Sequence, residues 1–74
     1  HTPGHTPGST CLLHFKTKTL FSGDTLFAEG GVGRTDFAYS NQQKMKQSLA
    51  KLRKMAQAGE YITVNAGHGS SFFI

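Results

Sequence analysis

The first ten residues, HTPGHTPGST, set two prolines and two glycines around a pair of histidines. A four-residue gap between His1 and His5 would place both imidazoles on one helix face. Pro3 and Gly4 between them, with Pro7 and Gly8 following, remove that option, because proline breaks the helical ladder and glycine is a poor helix former. A central strand is excluded as well, since proline cannot donate to a sheet ladder. The segment reads as a stiff, turn-rich loop that can hold an imidazole while its backbone hydrogen bonds are met locally.

Little else in the chain could hold such a loop still. At 74 residues it forms one small domain at most, and domains near this size bury only about 60% of their unfolded surface. Leu, Ile, Val and Phe supply 16 residues, close to the level where folding becomes marginal. The lone Cys11 offers no internal disulfide. A bound metal or a missing partner segment would have to contribute. The chain begins at His1 and ends in the apolar SSFFI, whereas domain termini normally lie at the surface. It reads as a piece of a larger protein.

No apolar run approaches the roughly 18–20 residues that span a bilayer, and no signal peptide is recognisable. A lone cysteine fits a reducing cytoplasm. The net charge of +4 raises the question of nucleic acid. Lys44, Lys46, Lys51, Arg53 and Lys54 all fall within one predicted helix, however, and no aromatic residue alternates with them as a stacking platform. A solvated helix face is the simpler reading, with no nucleic-acid partner and no membrane partner.

Along the chain, Cys11, Leu13 and Phe15 alternate with Leu12 and His14, which predicts a strand over residues 9–15. Lys16-Thr17-Lys18 makes a polar turn, and Thr19-Leu20-Phe21-Ser22 completes an antiparallel hairpin. Residues 23–39 carry four glycines and no sustained period, and a loop that long is usually functional or disordered. Ser40 with Gln43 forms a capping-box pattern. Met45, Leu49, Leu52 and Met55 then follow the helical period, and Gly59 closes the helix, which covers residues 42–58. Tyr61-Ile62-Thr63-Val64 predicts a final strand leading into NAGHGSS. The order of loop, hairpin, long loop, helix and strand is an α/β pattern.

Three polar clusters, HTPGHTPGS, FSGDTLF and NAGHG, sit where strands end. Each sets one metal-competent side chain, His5, Asp24 or His68, among glycines and small residues. Imidazole and carboxylate suit divalent transition metals. Far apart in sequence, the three residues are not paired by spacing alone, and His5 could equally be a ligand or an ordinary loop histidine. Asp24 could simply close an Asx-turn, and His68 could belong to a free tail.

Taken together, HTPGHTPGS, LFSGDTLFAEGGVGRTDF and the late GHG resemble the second half of the metallo-β-lactamase superfamily. The resemblance is closest to its glyoxalase II-like members, the hydroxyacylglutathione hydrolases and their single-domain bacterial relatives. It covers nearly the whole chain. It implies the C-terminal half of an αββα sandwich and metal-dependent hydrolysis of thioesters such as S-acylglutathione. It assigns His5 as the third histidine of a first metal site, Asp24 as the catalytic carboxylate bridging two ions, and His68 as the histidine of the second site. Two zinc ions are implied, with iron possible, acting to polarise the scissile carbonyl and activate water.

The family's H-x-H-x-D-H motif, which supplies most other ligands, has no match here. The missing N-terminal half of the domain is thus an implied partner, and the chain alone is expected to be inactive. Ala66 stands where relatives usually have proline.

Two other readings stay open. One is an iron-dependent persulfide dioxygenase, whose relatives share GRTDF and hold one iron with two histidines and an aspartate. The other is a non-catalytic fragment that binds through the basic helix. His1 reads as structural, Cys11 as a small core residue and Arg34–Asp36 as a clamp on the long loop. Ser9 lacks a nucleophile-elbow setting.

Overall fold

A computed structural model describes residues His1–Phe73, apart from the side chain of Glu29. Ile74, the last residue of the apolar tail, lies outside the described residues. The chain forms β1 (Leu12–His14), β2 (Thr19–Gly23), a 3₁₀ turn (Ala28–Gly30), α1 (Gln42–Gln57), β3 (Thr63–Ala66) and β4 (Phe72–Phe73). The four strands make one sheet in the order β1-β2-β3-β4. The β1/β2 and β3/β4 pairs are antiparallel, while β2 and β3 run parallel. Parallel neighbours need a crossover, and here it comprises the long loop and α1. The expected α/β class is therefore observed.

Strand register explains the core. Leu13 pairs with Leu20, Leu20 with Val64 and Val64 with Phe72, so one apolar row crosses all four strands. Side chains alternate faces along a strand, so this row points together toward α1. Leu20, Val64, Leu52 of α1 and Tyr61 form the buried cluster, with Cys11, Leu13, Met55, Ala56 and Phe72 packed around it. Burying a side chain such as Leu20 or Val64 contributes about 1.5–3 kcal/mol, a large share in a domain this small. The opposite face is uncovered. Leu12, Phe21 and Phe73 lie on it, 66%, 45% and 82% exposed.

Several boundaries differ from the sequence expectation. The first strand is shorter than 9–15, because the turn begins at Phe15, which is exposed rather than inward-facing. The helix cap is Asn41, whose side chain accepts from Lys44 N at 2.9 Å. Ser40, the expected cap, donates its hydroxyl to His5 O instead, at 2.8 Å. The last predicted strand starts at Thr63 rather than Tyr61. Phe72–Phe73 add a strand where only an apolar tail was expected. Within 23–39, a bridge between Leu26 and Val32 folds the excursion back on itself. Gly59 does follow the helix C-terminus in the left-handed conformation, with φ +75.

Tyr61 ties the helix to the sheet. It is 2% exposed, and its hydroxyl donates to Leu52 O at 2.8 Å. Burial, with a smaller contribution from Cys11, pushes the phenol above its ordinary value. A raised tyrosine gives stability that is complete below the unfolded value of ~10 and lost as pH rises through the folded value. Tyr61→Phe should cost about 1 kcal/mol at neutral pH. Urea unfolding at neutral and strongly alkaline pH checks this: the variant's deficit should shrink above pH ~10.

Candidate metal centre

The parallel strands deliver two of the three candidate residues. β2 ends at Gly23 and β3 at Ala66, so Asp24 and His68 both emerge at the carboxyl ends of adjacent strands. Ligands in open α/β sheets bind at such ends. A register shift between Phe21 and Gly23 bulges β2 just before Asp24, and bulges commonly re-aim a side chain beside a site. Ser22, at the bulge, is fully buried and donates its hydroxyl to Leu26 O at 2.7 Å. Gly67 N donates to Gly23 O at 2.7 Å, which joins the two strand ends.

The opening loop delivers the third. Its backbone is satisfied internally, by Thr2 N to Ser9 O at 2.8 Å and Ser9 N to Thr6 O at 3.3 Å. Helix α1, its cap and the residue before the cap then hold the loop by four successive anchors. Lys51 Nζ donates to His1 O, Ser48 Oγ to Pro3 O, Asn41 N to Gly4 O and Ser40 Oγ to His5 O. His1 stays out of the site and donates from Nε2 to Pro7 O, a structural role. Ser9 closes the loop through Thr6.

His5, Asp24 and His68 come together. His5 Nε2 lies 3.8 Å from Asp24 Oδ2, and His68 Nε2 lies 3.2 Å from Asp24 Oδ1. They line a cavity of about 300 Å³ with Phe27, Val32, Gly33 and Arg34. No group of three His, Cys, Asp or Glu side chains among the described residues is gathered around one point as a metal-holding cluster. The arrangement is instead two pairs sharing one carboxylate, each histidine on its own oxygen. Zinc takes nitrogen and oxygen at about 2.0–2.2 Å, so tetrahedral neighbours on one ion stand about 3.4 Å apart. The two observed separations bracket that value.

Tautomer geometry fits a metal as well. His5 Nδ1 lies 2.7 Å from Arg34 O. A carbonyl only accepts, so Nδ1 carries a hydrogen, and Nε2 faces Asp24. Metal-binding histidines are oriented by this kind of bond. The walls leave no spare room: a Cβ on Gly33 would lie 2.0 Å from Asp24 O and 2.9 Å from His5 Cγ, and one on Gly67 would lie 2.8 Å from Asp24 Oδ1. Phe27 meets the His68 ring edge-on at 5.8 Å, and Phe37 meets His5 similarly at 6.0 Å.

Sequence reasoning had not placed Phe27, Val32, Gly33 or Phe37 at the site. The LFAEGGVGRTDF run was their only signal. Arg34 and Asp36 do form the expected clamp, with Nε–Oδ1 and Nη2–Oδ2 both at 2.7 Å.

The ends of two parallel strands bring Asp24 and His68 together in this α/β fold, and the opening loop sets His5 beside them. Residues 1–68 match the family model described as the metallo-beta-lactamase superfamily, and the chain belongs to that family. It is 40% identical over 70 residues to hydroxyacylglutathione hydrolase GloC of Haemophilus influenzae, covering 95% of this chain and 32% of that protein. It is also 40% identical over 68 residues to the probable metallo-hydrolase YqgX of Bacillus subtilis, covering 92% of this chain and 31% of the other. Among solved structures, TTHA1623 in a di-iron-bound form superposes with a TM-score of 0.83 at 34% identity, covering 99% of this chain and 35% of that one. The chain thus spans about a third of the length of these relatives. No helix among the described residues is long and apolar enough to cross a membrane.

Proposed function

We propose that this chain is the C-terminal portion of a metal-dependent hydrolase that cleaves thioesters of the S-acylglutathione type. Asp24 would be the ligand shared by two ions, with His5 a ligand of the first site and His68 of the second. The carrying observation is the shared carboxylate, met by a different histidine on each oxygen. Bound there, a pair of divalent ions supplies a Lewis acid for the scissile carbonyl and lowers the pKa of water. The chain's own residues aim the nitrogen and oxygen donors, while Phe27 and Val32 line the cavity beside them.

Zinc is the proposed metal, and iron is the alternative that the di-iron neighbour keeps in view. The uncovered sheet face bearing Leu12, Phe21 and Phe73 is where the rest of the domain packs in the intact protein, in a cytoplasmic setting. The similarity to a hydroxyacylglutathione hydrolase supports the thioester substrate.

A chimera tests the reading. This chain replaces the matching third of the Haemophilus influenzae hydrolase, and S-lactoylglutathione cleavage is followed with zinc or iron supplied. Turnover by the chimera, with none from the 74-residue chain alone, is the expected result. A folded, metal-loaded chimera that leaves the thioester intact overturns it; if that chimera consumes oxygen with a glutathione persulfide, the dioxygenase reading takes its place.

A further inference from the structure

The clamp on the long loop holds more than itself. Arg34 and Asp36 are each about two-thirds exposed, at 64% and 66% of their side chains. Isolated surface ion pairs add little to stability, yet this one is bidentate and its Arg34 is tied to His5 twice. The Arg34 carbonyl accepts from His5 Nδ1, and the Arg34 guanidinium lies 4.4 Å from the centroid of Phe37. Phe37 in turn sets its ring against His5 on one side and stacks on Tyr39 at 5.2 Å on the other. The hydrogen bond from Arg34 holds the Asp36 carboxyl below the usual carboxylate range, so the pair stays ionised at neutral pH.

We propose that Asp36, acting through Arg34 and Phe37, is a positioning residue for His5. It fixes the carbonyl that selects the Nδ1–H tautomer and the aromatic edge that backs the ring, and so aims Nε2 at Asp24. Removing the Asp36 carboxylate frees the guanidinium, lets the 33–37 segment wander and releases the imidazole from its acceptor. Arg34→Lys does the same while keeping the charge, because an ammonium cannot reproduce the planar, two-point pairing. The aim toward a metal rests on the function proposed above; the tautomer does not.

The test therefore reads the tautomer first. Nitrogen-15 shifts of His5 are recorded on the metal-free 74-residue chain, about two pH units above the ordinary histidine value of ~6.5. A zinc titration follows. Wild type should show a dominant Nδ1–H form. Asp36→Ala and Arg34→Lys should shift the population toward Nε2–H and weaken zinc binding about tenfold. Asp36→Glu should restore both readouts, and Lys46→Ala should change neither.

A wild-type tautomer in Arg34→Lys, whose exposed side chain leaves the core untouched, overturns the proposal even if Asp36→Ala fails to fold. So does failure of Asp36→Glu to restore the Nδ1–H form. Absence of zinc binding in wild type counts against the ligand reading alone, since the tautomer still judges the brace.

Discussion

Asp24→Asn is expected to cut the affinity of the chain for zinc by more than about 100-fold, beyond what loss of an orienting group alone costs. Its unfolding midpoint in urea should hardly move, with a change within about 0.5 kcal/mol. The asymmetry follows from geometry. Each oxygen of Asp24 meets a different histidine, so one substitution removes the oxygen of one pair and the negative charge that both share. An amide keeps the shape but loses the charge, and its NH₂ group can ligate nothing. The side chain is 44% exposed and takes no part in the core, so folding is spared. Competition against a chromophoric chelator measures the first effect and urea melts the second. An affinity within threefold of wild type would place the metal elsewhere.

Gly33→Ala should damage fold and site together. The added Cβ would lie 2.0 Å from the Asp24 carbonyl oxygen and 2.9 Å from the His5 ring. Backbone and imidazole cannot both yield, since Gly33 N donates to Thr25 O and His5 is bonded to Arg34 O. Overpacking of this kind costs about 1–3 kcal/mol, a serious fraction for a domain with so small a core. Zinc affinity should fall in parallel, because the two residues displaced, Asp24 and His5, are ones whose side chains face each other. Gly8→Ala is the control: its Cβ would meet nothing within 4 Å, and its melt should match wild type within about 0.5 kcal/mol. Equal losses in the two variants would show that the close approach at Gly33 is not what matters.

The parts of this structure legible in the sequence are those set by local chemistry. Proline and glycine around His5 excluded regular structure there, and the spacing of Met45, Leu52 and Met55 gave the helix. Convergence of His5, Asp24 and His68 was legible only through family resemblance, because it depends on β2 and β3 being parallel neighbours, a fact no single segment carries. Misses have the same origin. Ser40 and Asn41 are both competent caps, and what separates them is the distant His5 carbonyl that engages Ser40. Phe15 continued an apolar alternation, but the turn took it out of the sheet. Phe72–Phe73 became a strand because β3 offered an edge. Arg34 orients His5 through its main chain, and a carbonyl is the same whatever residue bears it.

The four anchors from the Ser40–Lys51 segment to the opening loop have a consequence for how the centre comes apart. Asp24 and His68 ride on hydrogen-bonded neighbouring strands, so their separation is held by main-chain pairing alone. His5 depends on a helix that meets the sheet through side-chain packing and the Tyr61–Leu52 bond, not through main-chain pairing. Fraying of α1 would therefore dismantle the pocket in sequence, with the imidazole of the opening loop departing while the strand-borne pair still faces itself. Metal release on warming should then pass through a half-dismantled, two-donor state before the sheet melts.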